Sequence, residues 1–190
     1  MKINEFYKRI IFGTLYVIIL WSATSYSESS FGFLFAVIGI VCTYEMWQLR
    51  KGQSKLIAFS YVIVPFIIIQ FFGFTELHSP ENKFDSSPIL VLFIMTWVFD
   101  TFAYMVGSKI GKNKILPKIS PKKSWEGFIG AIILTILTGY ILSLNGFKLS
   151  SIEWMILGAI TAITSTLGDL FQSMLKRESK IKDSGKILPG

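Results

Sequence analysis

Charge is scarce in this chain. Only 16% of its 190 residues are Asp, Glu, Lys or Arg, against about a quarter in a soluble domain. His78 and Cys42 are each the only residue of their kind. One cysteine excludes an intrachain disulfide. One histidine, set in a loop away from the basic segments, excludes a histidine dyad or a histidine-built zinc site among them. Internal repeats, low-complexity tracts and a stretch polar enough for a separate soluble domain are missing too. The remainder is apolar: 52% of residues are hydrophobic and the mean hydropathy is +0.55.

The apolar residues are clustered. Six windows, at residues 10–26, 31–47, 56–74, 88–107, 128–144 and 152–171, approach or reach the length that crosses a bilayer core of roughly 30 Å. The first two and the fifth are near the short limit, and the second and third are open to a partly re-entrant reading. With the N-terminus in the cytoplasm, all but Lys83 and Lys148 of the 19 Lys and Arg fall in cytoplasmic pieces, a strong positive-inside pattern. The expected architecture is an all-α polytopic membrane bundle of about six transmembrane helices, N-in/C-in. Residues 1–87 hold N-terminal membrane helices, and residues 88–190 the region bearing chemistry. Ser22-Ala23-Thr24 after the first apolar run raises a cleaved signal peptide, but the five later spans favour a retained helix. The net charge of +7 lies in juxtamembrane loops that meet anionic headgroups, so no nucleic-acid partner is called for.

Two polar constellations interrupt the apolar pattern. The first runs from Asp100 to Gly127. Asp100 lies inside the fourth span, where a carboxylate is costly unless paired or hydrated. It is either a functional acid or a structural one paired with a Lys or Tyr. Ala103, Gly107 and Gly111 follow on its face as a small-residue ridge that lets a second helix come close. Gly107 to Lys112 is not a P-loop: the glycine spacing is one residue short, Asn113 stands where Ser or Thr is needed, and no strand precedes it. In Ser120-Pro121-Lys122-Lys123-Ser124, Ser120 reads as an N-cap and Pro121 as a first helical residue, so the fifth helix is expected to begin near Pro121. Lys122 and Lys123 would then sit at a helix start, either as an anion site with the free N–H groups or as a plain positive-inside anchor.

The second constellation is Ser165, Asp169, Ser173, Lys176 and Arg177, one polar stripe if the sixth helix continues past the bilayer surface. A carboxylate, a hydroxyl and two cations in a row suit a metal–phosphate site, and Lys182-Asp183 adds another such pair. An amphipathic exit helix with internal ion pairs, such as Lys176–Glu178 or Lys180–Asp183, accounts for the same residues.

Together these segments resemble the phosphatidate cytidylyltransferase (CDP-diacylglycerol synthase) family. The resemblance rests on Ser173, Lys176, Arg177, Lys182, Asp183 and Leu188-Pro189-Gly190, on Gly168-Asp169, and on the upstream block from Asp100-Thr101-Phe102-Ala103-Tyr104 through Gly107 and Gly111-Lys112 to Ser120-Pro121-Lys122-Lys123-Ser124-Trp125-Glu126-Gly127. It covers residues 100–190. The family's following His-Gly-Gly and Asp-Arg-x-Asp elements are not in the sequence, so on the resemblance the chain is expected to be C-terminally incomplete, with a crippled metal site.

The resemblance implies a nucleotidyltransferase of phospholipid biosynthesis that makes CDP-diacylglycerol and pyrophosphate from CTP and phosphatidic acid. It implies Mg²⁺, with a second cation left open, held by Asp169 and more weakly by Asp183. Lys176, Arg177 and Lys182 would clamp phosphates, and Lys112, Lys122, Lys123, Ser124 and Ser173 would contact substrate. Asp100 would orient a cation or a lysine at the buried end of the site. The implied setting is the bacterial inner membrane, with the site facing the cytoplasm, CTP arriving from solution, the lipid arriving through the bilayer, and a homodimer as the assembly. The alternatives are a CTP-dependent lipid-alcohol kinase, which would move the γ-phosphate, and a non-catalytic polytopic protein or transporter, with Asp100 and Asp169 on an ion path.

Overall fold

The computed structural model describes residues 3–50, 55–72, 84–144 and 149–181. Each expected apolar window is a helix: α1 (Ile3–Tyr26), α2 (Glu28–Leu49), α3 (Leu56–Phe72), α4 (Ser87–Ile110), α5 (Trp125–Ser143) and α6 (Ser151–Glu178). Helices are what apolar runs must form in lipid, because each satisfies its own backbone N–H and C=O groups where no water can. α2, α4, α5 and α6 are long and apolar enough to cross a membrane; the apolar parts of α1 and α3, Ile11–Tyr26 and Leu56–Phe71, are shorter. Large apolar side chains stay uncovered along these helices, with Ile40, Phe71 and Leu167 at least 60% exposed. Such surface would aggregate in water and is ordinary against hydrocarbon. The protein is an integral membrane protein built as a helical bundle.

The chain forms two compact units, residues 1–90 with 179–190, and residues 91–178. In the first, α1 turns into α2 through a single residue. Ser27 caps α2: its Oγ accepts the Ser30 N–H at 3.1 Å, and the Ser30 Oγ accepts the Ser27 N–H at 3.0 Å. This reciprocal arrangement satisfies the donors a helix start leaves open. Phe31 and Phe35 are buried and pack with tilted rings at 4.6 Å between centroids, and Phe31 also meets Phe84 at 5.3 Å. Pro65 lies inside α3, where it removes one ladder hydrogen bond.

In the second unit the helices approach at glycines. A Cβ at Gly158 would lie 2.8 Å from the Thr135 carbonyl oxygen, and one at Gly139 would strike the Trp154 carbonyl, so α5 and α6 meet backbone to backbone. The expected small-residue ridge on α4 is used in the same way. A Cβ at Gly127 would lie 2.8 Å from the Ala103 carbonyl oxygen and 3.0 Å from the Gly107 Cα. Small residues allow this closeness, and the dispersion it gains binds helices together in lipid. Buried Phe99, Ala131 and Ala162 close the core between α4, α5 and α6. Gly127→Val is expected to destabilise this unit by about 1–3 kcal/mol through overpacking, read as a fall in the midpoint of thermal or denaturant unfolding in detergent. An unchanged midpoint would mean that α4 and α5 are free to separate.

The link from α4 to α5 departs from the all-α expectation. It is an antiparallel hairpin of β1 (Lys114–Leu116) and β2 (Ser120–Ser124), with Lys114 opposite Ser124 and Leu116 opposite Ser120. The Ile119 N–H donates to the Leu116 carbonyl at 3.1 Å, with Pro117 in the turn position its fixed φ favours. The helix therefore does not start at Pro121. Ser120 is spent on strand pairing, and Ser124 caps α5 instead, its Oγ accepting the Gly127 N–H at 3.3 Å. Two serines compete for the cap, and the hairpin decides between them.

Candidate active site

The hairpin is pinned at its base and at its tip. At the base, the Glu126 carboxylate accepts the Asn113 N–H at 3.0 Å and the Asn113 Nδ2–H at 2.8 Å, while the Asn113 carbonyl accepts the Trp125 N–H at 2.9 Å. Gly111 lies where any Cβ would strike the Gly107 carbonyl and the Ser124 hydroxyl, so only glycine lets the chain pass there. At the tip, the Arg177 Nε–H of α6 donates to the Ile119 carbonyl at 3.3 Å. These anchors hold Lys122, Lys123 and Ser124 in fixed register with α4, α5 and α6.

The hairpin roofs a cavity of about 290 Å³. Phe99 and Phe128 form its apolar floor, meeting edge to face at 6.3 Å. Asp100 and Tyr104 enter from α4, Lys122, Lys123 and Ser124 from β2, and Thr166 and Asp169 from α6. Lys123 Nζ is paired with the Asp169 carboxylate, their side chains 27% and 52% exposed. Asp100 is within electrostatic range of both. A pocket with an apolar floor, two carboxylates and two ammonium groups is built to hold a polar, charged ligand beside a lipid phase.

Five of the residues named from the sequence converge on this cavity: Asp100, Lys122, Lys123, Ser124 and Asp169. Others do not line it. Lys112 is exposed on the connection before β1, Ser173 lies further along α6, and Lys176 sits in its last turn. Arg177, expected to clamp phosphate, donates its Nε–H to the Ile119 carbonyl at the hairpin tip and is not among the cavity's lining residues. Lys182 and Asp183 lie outside the described residues. The placement of Lys122 and Lys123 also differs from expectation. They sit on a strand just before the helix, and the Trp125 and Gly127 N–H groups already have partners. The cationic groups this junction turns to the cavity are therefore the two ammonium groups, and the helix-end donors of Trp125 and Gly127 are already engaged.

Sequence reasoning missed the Glu126–Asn113 clamp and Thr166. Glu126 is one place too early for the Ser-x-x-Glu capping pattern, so the usual signal is silent. Thr166 precedes Asp169 by three residues, and the i, i+3 relation would have put it on the same face. Its hydroxyl donates to the Ala162 carbonyl at 3.0 Å.

Among the described residues no three His, Cys, Asp or Glu side chains gather, so this cavity offers a metal two carboxylates, Asp100 and Asp169. That donor set fits Mg²⁺, which keeps several waters and takes one or two carboxylates with substrate phosphate oxygens. The pairing of Asp169 with Lys123 leaves the other oxygen as the one less engaged.

Comparison with known proteins gives these features a context. A model of the "Cytidylyltransferase family" matches residues 6–190. The chain is 34% identical over 163 residues to a phosphatidate cytidylyltransferase of Haemophilus influenzae, covering 83% of the chain and 56% of that protein. It is 35% identical over 160 residues to one of Staphylococcus aureus, covering 83% and 59%, and 43% identical over 117 residues to one of Thermotoga maritima, covering 57% and 43%. The chain spans about half the length of the curated relatives it matches. With the family model running through both units and the hairpin cavity inside the match, the chain belongs to the cytidylyltransferase family.

Proposed function

We propose that the hairpin cavity is part of the active site of a CTP:phosphatidate cytidylyltransferase. The observation that carries this reading is the convergence of Lys122, Lys123, Asp100 and Asp169 on one polar cavity beside an apolar floor. The relatives' names supply the substrate pair. In the reaction a phosphate oxygen of phosphatidic acid attacks the α-phosphorus of CTP. The new P–O bond gives CDP-diacylglycerol, and the bond to the bridging oxygen of the β-phosphate breaks to release pyrophosphate.

Such a transfer depends on positioning and charge neutralisation more than on covalent help from the protein. Lys122 and Lys123 would hold phosphate oxygens as point charges, and Ser124 would keep the strand-to-helix junction rigid beneath them. Asp169 and Asp100 would hold Mg²⁺, which neutralises phosphate charge when bound. Asp183 would join them as a weaker ligand, and a second cation would need carboxylates besides these. The Phe99 and Phe128 floor would face the glycerol end of the lipid substrate.

The membrane arrangement belongs to the same proposal. Six spans, N-in/C-in, in a bacterial inner membrane would turn the hairpin toward the cytoplasm, where CTP is found. The Lys and Arg distribution supports this, since Lys112, Lys114, Lys118, Lys122 and Lys123 all lie on or beside the hairpin. A homodimer would have to use a surface other than the Ala103–Gly107 ridge, which α5 already covers.

The test is transfer of label from CTP to phosphatidic acid with Mg²⁺ in detergent, using the chain at the full length of its relatives. Label from the α-phosphate is expected in the lipid, and none from the γ-phosphate. Lipid labelled from the γ-phosphate alone would make the protein a CTP-dependent lipid kinase. Label from neither, with ion flux in liposomes, would make it a transporter.

A further inference from the structure

A further cavity lies in the first unit, between α2 and α3. It measures about 630 Å³, within the range that takes small ligands. One wall is the row Phe35, Gly39, Thr43 and Trp47, four residues apart along α2; the other includes Phe66 and Gln70 of α3. The slot exists because of Gly39, where even a Cβ would sit 3.3 Å from the Phe66 ring. Two of its polar side chains already have partners. The Thr43 hydroxyl donates to the Gly39 carbonyl at 2.7 Å, and the Tyr44 hydroxyl accepts from Gln48 Nε2 at 2.9 Å. The slot therefore presents carbon along most of its length.

Its two ends differ. From Phe35 to Trp47 the row rises about 18 Å at 1.5 Å per residue, close to the depth of one leaflet of a hydrocarbon core of about 30 Å. At the Trp47 end, Lys55 Nζ lies 3.5 Å from the Trp47 ring centroid, immediately before the start of α3 at Leu56. Tryptophan and lysine together mark the headgroup level of a bilayer. A leaflet-deep apolar slot with a cation at its lip has the length and charge of one lipid chain below an anionic headgroup.

We propose that the α2–α3 slot binds one acyl chain of a resident anionic phospholipid, with the lipid phosphate at Lys55 and Trp47. A zwitterionic lipid would fill the slot too, but its own headgroup cation would compete with Lys55 for the phosphate, so a lipid with net negative charge is favoured. This site takes no part in the transfer reaction proposed above.

Photocrosslinking tests it. The full-length protein is reconstituted in vesicles in which a diazirine is carried on the acyl chain of phosphatidylglycerol, phosphatidylcholine or phosphatidic acid, with and without CTP, and labelled peptides are mapped. α2 and α3 peptides are expected to label well above α1, whose Ile11 and Ile18 are comparably open at 62% and 54%. Ile40→Trp or Ile67→Trp, each filling the slot from its rim, should bring the label down to the α1 level. Lys55→Gln, which removes the charge and its contact with the Trp47 ring but none of the slot's lining residues, should lower the preference for phosphatidylglycerol by about fivefold. Even label across α1, α2 and α3, or label indifferent to both the filling variants and Lys55→Gln, would reduce the slot to ordinary bilayer contact. Label confined to phosphatidic acid and displaced by CTP would hand the slot to the reacting lipid. Either result overturns the assignment.

Discussion

Asp169→Asn, made in the chain at the full length of its relatives, is expected to lower cytidylyl transfer by about 10²–10³-fold, as removal of one group that faces developing charge usually does. The residual activity should need more Mg²⁺ for half-saturation, because an amide is a poorer ligand for a hard cation than a carboxylate. Stability should hardly move. The Lys123–Asp169 pair is part-exposed on both sides, and ion pairs of that kind are worth about 0–1 kcal/mol. This split between activity and unfolding midpoint separates a metal-holding role from a structural one. Asp100→Asn should show the same Mg²⁺ signature, since Asp100 enters the same cavity from α4. If Asp169→Asn kept both its turnover and its Mg²⁺ dependence, the metal would lie elsewhere, and the cavity's two carboxylates would serve only as counter-charges for the lysines.

The helices were legible because lipid makes their signal simple. Apolar runs of sufficient length have no alternative to α-helix in hydrocarbon, and all six appear where hydropathy places them. The Ala103–Gly107 contact with Gly127 was legible for a related reason: small residues at four-residue spacing have few uses in a membrane helix other than close packing. The hairpin was not legible. Ser120-Pro121 and Ser124-Trp125 are both acceptable helix starts, and the choice depends on pairing with Lys114–Leu116 and on the Glu126–Asn113 clamp. Those contacts span up to 13 residues, beyond what local propensity registers. The site followed the same division. Asp100 stood out as a carboxylate inside an apolar run and Asp169 as one at the end of another, and the structure brings both to one cavity. Arg177 stood out equally, but its position beside a cation-rich motif said nothing about the Ile119 carbonyl, 58 residues away in sequence, that takes its Nε–H. Charge located the neighbourhood, whereas backbone geometry decided which charges face the cavity.

Lys123→Met is the second large effect to expect: a fall in transfer of about 10²-fold, with KM rising for whichever substrate's phosphate the ammonium holds. Methionine keeps an unbranched apolar stem beside the Phe128 floor, so the loss reports charge rather than packing. Lys123→Arg should not restore full activity, because a planar guanidinium presents its donors in a fixed fork where the cavity is shaped around a compact ammonium. The sharper comparison exchanges the pair. Lys123→Asp with Asp169→Lys regains an ion pair between β2 and α6, so any purely structural contribution returns. The chemistry would not return, for the carboxylate would then sit on the hairpin and the ammonium on α6, reversing the field that a polyphosphate and its metal meet. Wild-type unfolding with turnover at the level of the single variants is therefore the expected outcome. Turnover recovered alongside stability would show that the pair serves the fold alone, and would leave phosphate recognition in this cavity to Lys122.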